Sequence, residues 1–218
     1  MEAVRLDGFL IADGYADSVT TNPLTASGAG ILAGVVGVVP ELKLYNLTIR
    51  SCQANETGGG LYAQQVWNLQ MHSCMVTDNR AGRSSPIAGS GGGIYLRRCG
   101  RDGDNVAIHN VQLSRNEAPA GSALHLEAFD GGRFSLVNSL INSNLATDGG
   151  GAVLLDRGSL GSPLTSSIRM SHCTVVANNG GGIQIVDASS TTGVLFDTDV
   201  RSSISFFNRL VIGGGGVG

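Results

Sequence analysis

The residues of this chain that could do chemistry recur at nearly constant intervals. Arg97, Glu127 and Asp156 are spaced 30 and 29 residues apart, and His125 stands two residues before Glu127. Tyr62 and Tyr95 are 33 residues apart, with Gln64 two residues after the first and Arg97 two after the second. If the intervals are the coils of a stacked repeat, equivalent residues lie about 4.8 Å apart along the stack. The two carboxylates then approach the separation of about 5 Å at which one can serve as acid and the other as nucleophile on a glycosidic bond. His125 is a candidate for moving a proton, and Arg97 for neutralising a sugar acid. Tyr62 and Tyr95, with Gln64 beside them, would form a platform for a sugar ring. The same residues also read as a solvated ladder in which Arg97 simply pairs with Glu127, and that reading carries no catalysis.

Other reactive side chains are less organised. His72 and His109 fall at one corner of adjacent repeats, and His172 lies one position along in a later one. Two imidazoles begin a metal site, but no carboxylate recurs beside them, so histidines satisfied by backbone are expected and no metal is assigned. Asp102-x-Asp104 echoes a calcium loop without the distal Glu, which favours a solvated turn and leaves calcium as the minor alternative. Cys52, Cys74, Cys99 and Cys173 show no CxxC and no zinc spacing. They read as buried thiols, with a disulfide between neighbouring coils, such as Cys52 to Cys74, as the other option. No Gly-x-Ser-x-Gly elbow and no phosphate-cradling loop occurs.

What must position these residues is a repeat. Glycine-led motifs precede an aliphatic residue at Ile31, Leu61, Ile94, Leu124, Val153 and Ile183, at spacings of 30, 33, 30, 29 and 30. Between them an aliphatic residue is followed three positions later by Asn, at Asn79, Asn116, Asn144 and Asn178. Strict apolar alternation flanks a polar corner in each repeat, as in Leu69/Met71 then Cys74/Val76, and Val106/Ile108 then Val111/Leu113. Alternation of period two marks strands with one buried face. The predicted fold is therefore all-β: a right-handed parallel β-helix of about six coils of roughly 30 residues, with three short strands per coil. On the glycine-led strand the aliphatic points inward. The next residue points outward (Leu32, Tyr62, Tyr95, His125, Leu154, Gln184), as does the one two further on (Gly34, Gln64, Arg97, Glu127, Asp156, Val186). The repeated Asn side chains are expected to satisfy turn backbone and to bond one another along the stack.

Composition agrees. Of 218 residues 33 are glycine, 42% are hydrophobic and 14% are charged, with a net charge of -3. That excludes a disordered chain and a basic nucleic-acid footprint. No run of about 18 apolar residues is present to span a membrane as a helix.

The Gly-Gly-x-aliphatic motif alternating with aliphatic-x-x-Asn resembles the paired repeats of polymorphic outer-membrane proteins and autotransporter passengers. More broadly it is similar to the right-handed β-helix repeat proteins of the pectin-lyase-like superfamily. The opening Leu6-Asp7-Gly8-Phe9-Leu10-Ile11-Ala12-Asp13-Gly14 resembles a frequent coil of those surface proteins, and the likeness covers about residues 6 to 187. What the resemblance implies is export, a stalk or passenger role, and sometimes polysaccharide binding or cleavage. Residues 1–218 are expected to form one β-helix domain, with loop excursions at 16–28 and 82–90. With no capping helix at its start and a glycine-rich end, the chain reads as a fragment of a longer solenoid whose export signal lies elsewhere. The expected function is a non-catalytic extracellular or cell-surface segment (stalk, adhesin or polysaccharide-contacting module). The alternative is a polysaccharide lyase or glycoside hydrolase using Arg97, Glu127, Asp156 and His125. No cofactor is required by either.

Overall fold

The computed structural model describes residues 3–17, 26–34, 37–82, 89–100, 104–129, 131–156, 166–187, 196–206 and 211–214. Most of each anticipated loop excursion, at 18–25 and 83–88, lies outside these residues, as does Asp102 of the acidic turn.

Apolar alternation puts three strands into each repeat, and each pairs in parallel with its counterparts in the repeats before and after. The first sheet contains Val4–Asp7, Val39–Tyr45, Val66–His72, Asn105–His109, Arg133–Val137, Ser166–Ser171 and Phe196–Arg201, in that order. The second contains Leu10–Ala12, Thr48–Arg50, Met75–Thr77, Gln112–Ser114, Leu140–Asn142, Thr174–Val176 and Ile204–Phe206. The third, led by the glycine motifs, contains Ile31–Ala33, Leu61–Gln64, Ile94–Arg97, Leu124–Glu127, Val153–Asp156, Ile183–Asp187 and Val211–Gly214. The result is a parallel β-helix whose three sheets are each seven strands deep. In the last of these strands Ile212 pairs with Ile185, so Gly213 and Gly214 sit within and at the end of the strand rather than leading it.

Inward residues fill the tube in register. Leu61, Ile94, Leu124 and Val153 are fully buried in one row, and Leu69, Val106, Phe134 and Ile168 in another. Each such side chain contributes about 1.5–3 kcal/mol by leaving water. All four cysteines are free thiols packed in this interior. Burial pushes the Cys99 thiol up to about 12, so it behaves as a small hydrophobe.

The corners have a regular backbone. Asn46, Ser73, Asn110, Asn138 and His172 follow successive strands of the first sheet with φ between 48° and 56°. This left-handed conformation costs a non-glycine residue roughly 1–2 kcal/mol. It is held because each corner N–H finds the next coil: Asn46 donates to His72 O (3.1 Å), Ser73 to His109 O (3.2 Å) and Asn110 to Val137 O (3.0 Å).

One residue past the second corner stands the buried asparagine ladder. Asn79 Nδ2 donates to Asn116 Oδ1 (3.0 Å), Asn116 Nδ2 to Asn144 Oδ1 (3.1 Å) and Asn144 Nδ2 to Asn178 Oδ1 (2.9 Å). The same amides donate back to the preceding coil, at Ile49 O, Val76 O and Leu113 O. The row ends at Cys52, whose backbone N–H donates to Asn79 Oδ1 (3.0 Å).

Candidate functional site

The third sheet brings the predicted residues together in the anticipated register. Tyr62 pairs with Tyr95, Tyr95 with His125 and His125 with Leu154, while Gln64 pairs with Arg97, Arg97 with Glu127 and Glu127 with Asp156. The two rows lie side by side across four coils.

Their exposure differs from a flat outward platform. Tyr62, Tyr95 and His125 are only 5%, 6% and 7% exposed. The rings stack along the tube: Tyr62 and Tyr95 have centroids 5.3 Å apart at 22°, and His125 meets Tyr95 edge-on at 5.1 Å. Ring faces are thus used on one another. The glycine-led turn also folds against the base of each ring. A Cβ at Gly58 would sit 2.7 Å from Tyr62 Cβ, and one at Gly91 2.6 Å from Tyr95 Cβ, with φ of +65° at both. Here glycine is needed for the left-handed turn and for the close approach together. Gly91→Ala is accordingly expected to lose about 2 kcal/mol in denaturant unfolding, from the left-handed strain and the contact with Tyr95. An unchanged midpoint would show that the turn is not packed on the ring. A glycine four positions before each outward ring (58/62, 91/95, 121/125) was the sequence signal for this cover.

The second row is the accessible part. Gln64, Arg97, Glu127 and Asp156 are all partly exposed. Tyr62 Oη donates to Gln64 Oε1 (2.7 Å), which fixes the amide at one end. Arg97 Nε lies 3.4 Å from Glu127 Oε1 as an ion pair, and the Arg97 side chain also reaches the Tyr62 hydroxyl. Burial first, and then the neighbouring Asp156 charge, raise the Glu127 carboxyl above the ordinary carboxylate range. His125 is held in its neutral form by burial, with its pKa driven down to about 4, and neither ring nitrogen has a hydrogen-bond partner among the described residues. Near neutrality the imidazole therefore carries no proton to give, and Glu127, raised by burial, is the better candidate acid.

The remaining candidates are dispersed. His72 and His109 are paired in register at the end of the first sheet, and His172 occupies the left-handed corner one position further along. Among the described residues no group of three or more His, Cys, Asp or Glu converges on a possible metal position. Asp104 accepts from Asn68 Nδ2 (3.3 Å).

Among known families, the one described as "Right handed beta helix region" matches residues 8–203. No curated protein and no solved structure matches the chain.

Proposed function

This chain belongs to the right-handed β-helix family, and from that premise we propose that it is a non-catalytic surface segment that contacts a polysaccharide along the rim of its third sheet. The observation that carries the reading is the row Gln64, Arg97, Glu127 and Asp156, partly exposed and in register on four coils, backed by a buried ring stack. Backbone and asparagine ladders make the tube rigid, so the row is presented without an ordering cost at the moment of contact. Arg97 would meet a sugar carboxylate, and Gln64 would bond hydroxyls. In this reading the protein works outside the cell, as a stalk, adhesin or glycan-contacting module.

One observation favours a second reading. A carboxyl raised by burial beside a second carboxylate on the next coil is how an acid and its partner are set apart, which suits a glycoside hydrolase or lyase acting through Glu127 and Asp156.

The test is a panel of acidic and neutral polysaccharides, with and without calcium, followed for binding and for release of reducing or unsaturated ends. Binding without cleavage is expected, with Arg97→Ala weakening an acidic ligand about tenfold, the scale of one charge-assisted contact. Cleavage that disappears in Glu127→Gln would replace the first reading with the second.

A further inference from the structure

Among the described residues each long sheet is bounded by strands that are paired on one side only. At one end of the tube these are Val4–Asp7, Leu10–Ala12 and Ile31–Ala33, and at the other Phe196–Arg201, Ile204–Phe206 and Val211–Gly214. Such an edge offers its free N–H and C=O groups to another strand. The apolar filling is open there too. Leu6, Ile11 and Ile31 are only partly buried, whereas their partners one coil further in, Leu44, Ile49 and Leu61, are fully covered. At the other end Val200, which pairs with the buried Met170, is 53% exposed.

The two ends match when the coil register is carried one step further. In the first sheet Arg5 and Asp199 terminate one row, Leu6 and Val200 the next, and Asp7 and Arg201 the third. In the second sheet Leu10 and Ile204 terminate one outward row. A second copy stacked coaxially in this register sets Arg5 on Asp199, Asp7 on Arg201 and Leu6 on Val200. It also sets Leu10 on Ile204, which are 61% and 63% exposed in the single chain. Each end holds its charges as an exposed ion pair, Arg5 with Asp7 at 2.6 Å and Arg201 with Asp199 at 2.6 Å, in opposite order along the strand. Stacking therefore makes a square of alternating sign, with every charge beside two of its opposite. The backbone continues as well. Ser202 repeats the left-handed corner of the other coils (φ 47°), and its N–H would reach Asp7 O as the His172 N–H reaches Arg201 O (3.2 Å).

We propose that copies of chain 1–218 stack end to end, the Phe196–Arg201 edge of one on the Val4–Asp7 edge of the next, independently of what the third-sheet row contacts. The contact is heterologous and runs along the tube axis, so it does not close on itself and builds a fibre rather than a dimer. A two-fold contact between like ends is the other geometry. It turns the strands antiparallel and lays the second sheet of one copy over the third of its partner, so only the head-to-tail stack continues all three parallel ladders.

The test is sedimentation of chain 1–218 over a concentration series at low salt, with two charge-reversed variants. One carries Arg5→Asp with Asp7→Arg, the other Asp199→Arg with Arg201→Asp, so each keeps its own ion pair, and thermal melts show whether both remain folded. The unaltered chain is expected to grow with concentration in open-ended steps of 22.4 kDa. Each variant alone meets like charges at every junction and should assemble at least tenfold more weakly. Mixed in equal amounts, the two present complementary ends in alternation and should recover the assembly of the unaltered chain. Ile204→Lys, which leaves both ion pairs in place, should weaken stacking tenfold or more. The proposal is overturned by a single-copy mass up to about 100 μM, where a contact of micromolar affinity would be filled. It is equally overturned by growth that stops at two copies, by charge-reversed variants that assemble alone as well as the unaltered chain, or by a mixture that assembles no better than its components.

Discussion

Asn116→Ala is expected to destabilise the protein by about 3–5 kcal/mol, near the upper limit for a single substitution. The Asn116 side chain is fully buried and sits mid-ladder, with every capacity used. Its Nδ2 donates to Val76 O (2.9 Å) and to Asn144 Oδ1 (3.1 Å), and its Oδ1 accepts from the backbone N–H (3.1 Å) and the side-chain amide (3.0 Å) of Asn79. Alanine removes four bonds, each with a net value of about 1 kcal/mol. It also leaves the Asn79 N–H without its acceptor inside the tube, which costs about 1–3 kcal/mol more, whereas Asn144 Oδ1 keeps the backbone N–H of residue 116 (2.9 Å). Asn116→Asp separates shape from chemistry. A carboxylate keeps the accepting oxygen but turns the donating edge into a second acceptor facing Val76 O and Asn144 Oδ1. That variant should be at least as unstable as alanine at pH 7 and recover partly in acid, where a protonated carboxyl can donate again. Urea unfolding at pH 7 and pH 5 reads both. A loss below about 1 kcal/mol for Asn116→Ala would mean that water replaces the amide and that the ladder is not a main source of rigidity.

That the ladder exists could be read from spacing alone, because an amide at one place in four successive coils has only backbone and its own copies to bond. The inward set could be read for the same reason. Period-two alternation at Leu69/Met71 or Val106/Ile108 leaves one register in which those residues are buried, and stacking then dictates that Arg97 faces Glu127. What spacing does not reveal is cover. Tyr62, Tyr95 and His125 point outward as alternation requires, yet they are shielded by one another and by the turn at Gly58, Gly91 and Gly121. Pointing outward and being exposed are separate properties, and only the second depends on how a turn folds back. The shorter corner run, in which Asn138 Nδ2 donates to Asn110 Oδ1 (2.6 Å), is not legible in the sequence because Ser73 and His172 interrupt it.

His125→Leu is expected to stabilise the protein, by about 1–3 kcal/mol at pH 7, the cost of two buried nitrogens without partners. The position accepts leucine on geometric grounds, since Leu154 pairs with His125 and Leu32 occupies the same row two coils beyond Tyr95. The gain should grow in acid. Above pH 6.5 the imidazole is neutral in both folded and unfolded chains and contributes no pH dependence. Below 6.5 the unfolded chain takes up a proton that the folded one, with a pKa of about 4, still refuses. Stability is then lost at about 1.4 kcal/mol per pH unit until the folded pKa is reached, a total of about 3 kcal/mol. The wild-type protein therefore carries an acid-labile component between pH 6.5 and pH 4 that the leucine variant lacks. Subtracting the two stability curves isolates it, because carboxylates such as Glu127 titrate in both proteins. A leucine variant less stable than wild type at pH 7, or a difference flat across that window, would mean that the His125 nitrogens are partnered in solution. The unpaired ring would then be the place on the third sheet where a ligand or a bound water enters, and His125 would belong to the binding row rather than to the packing beneath it.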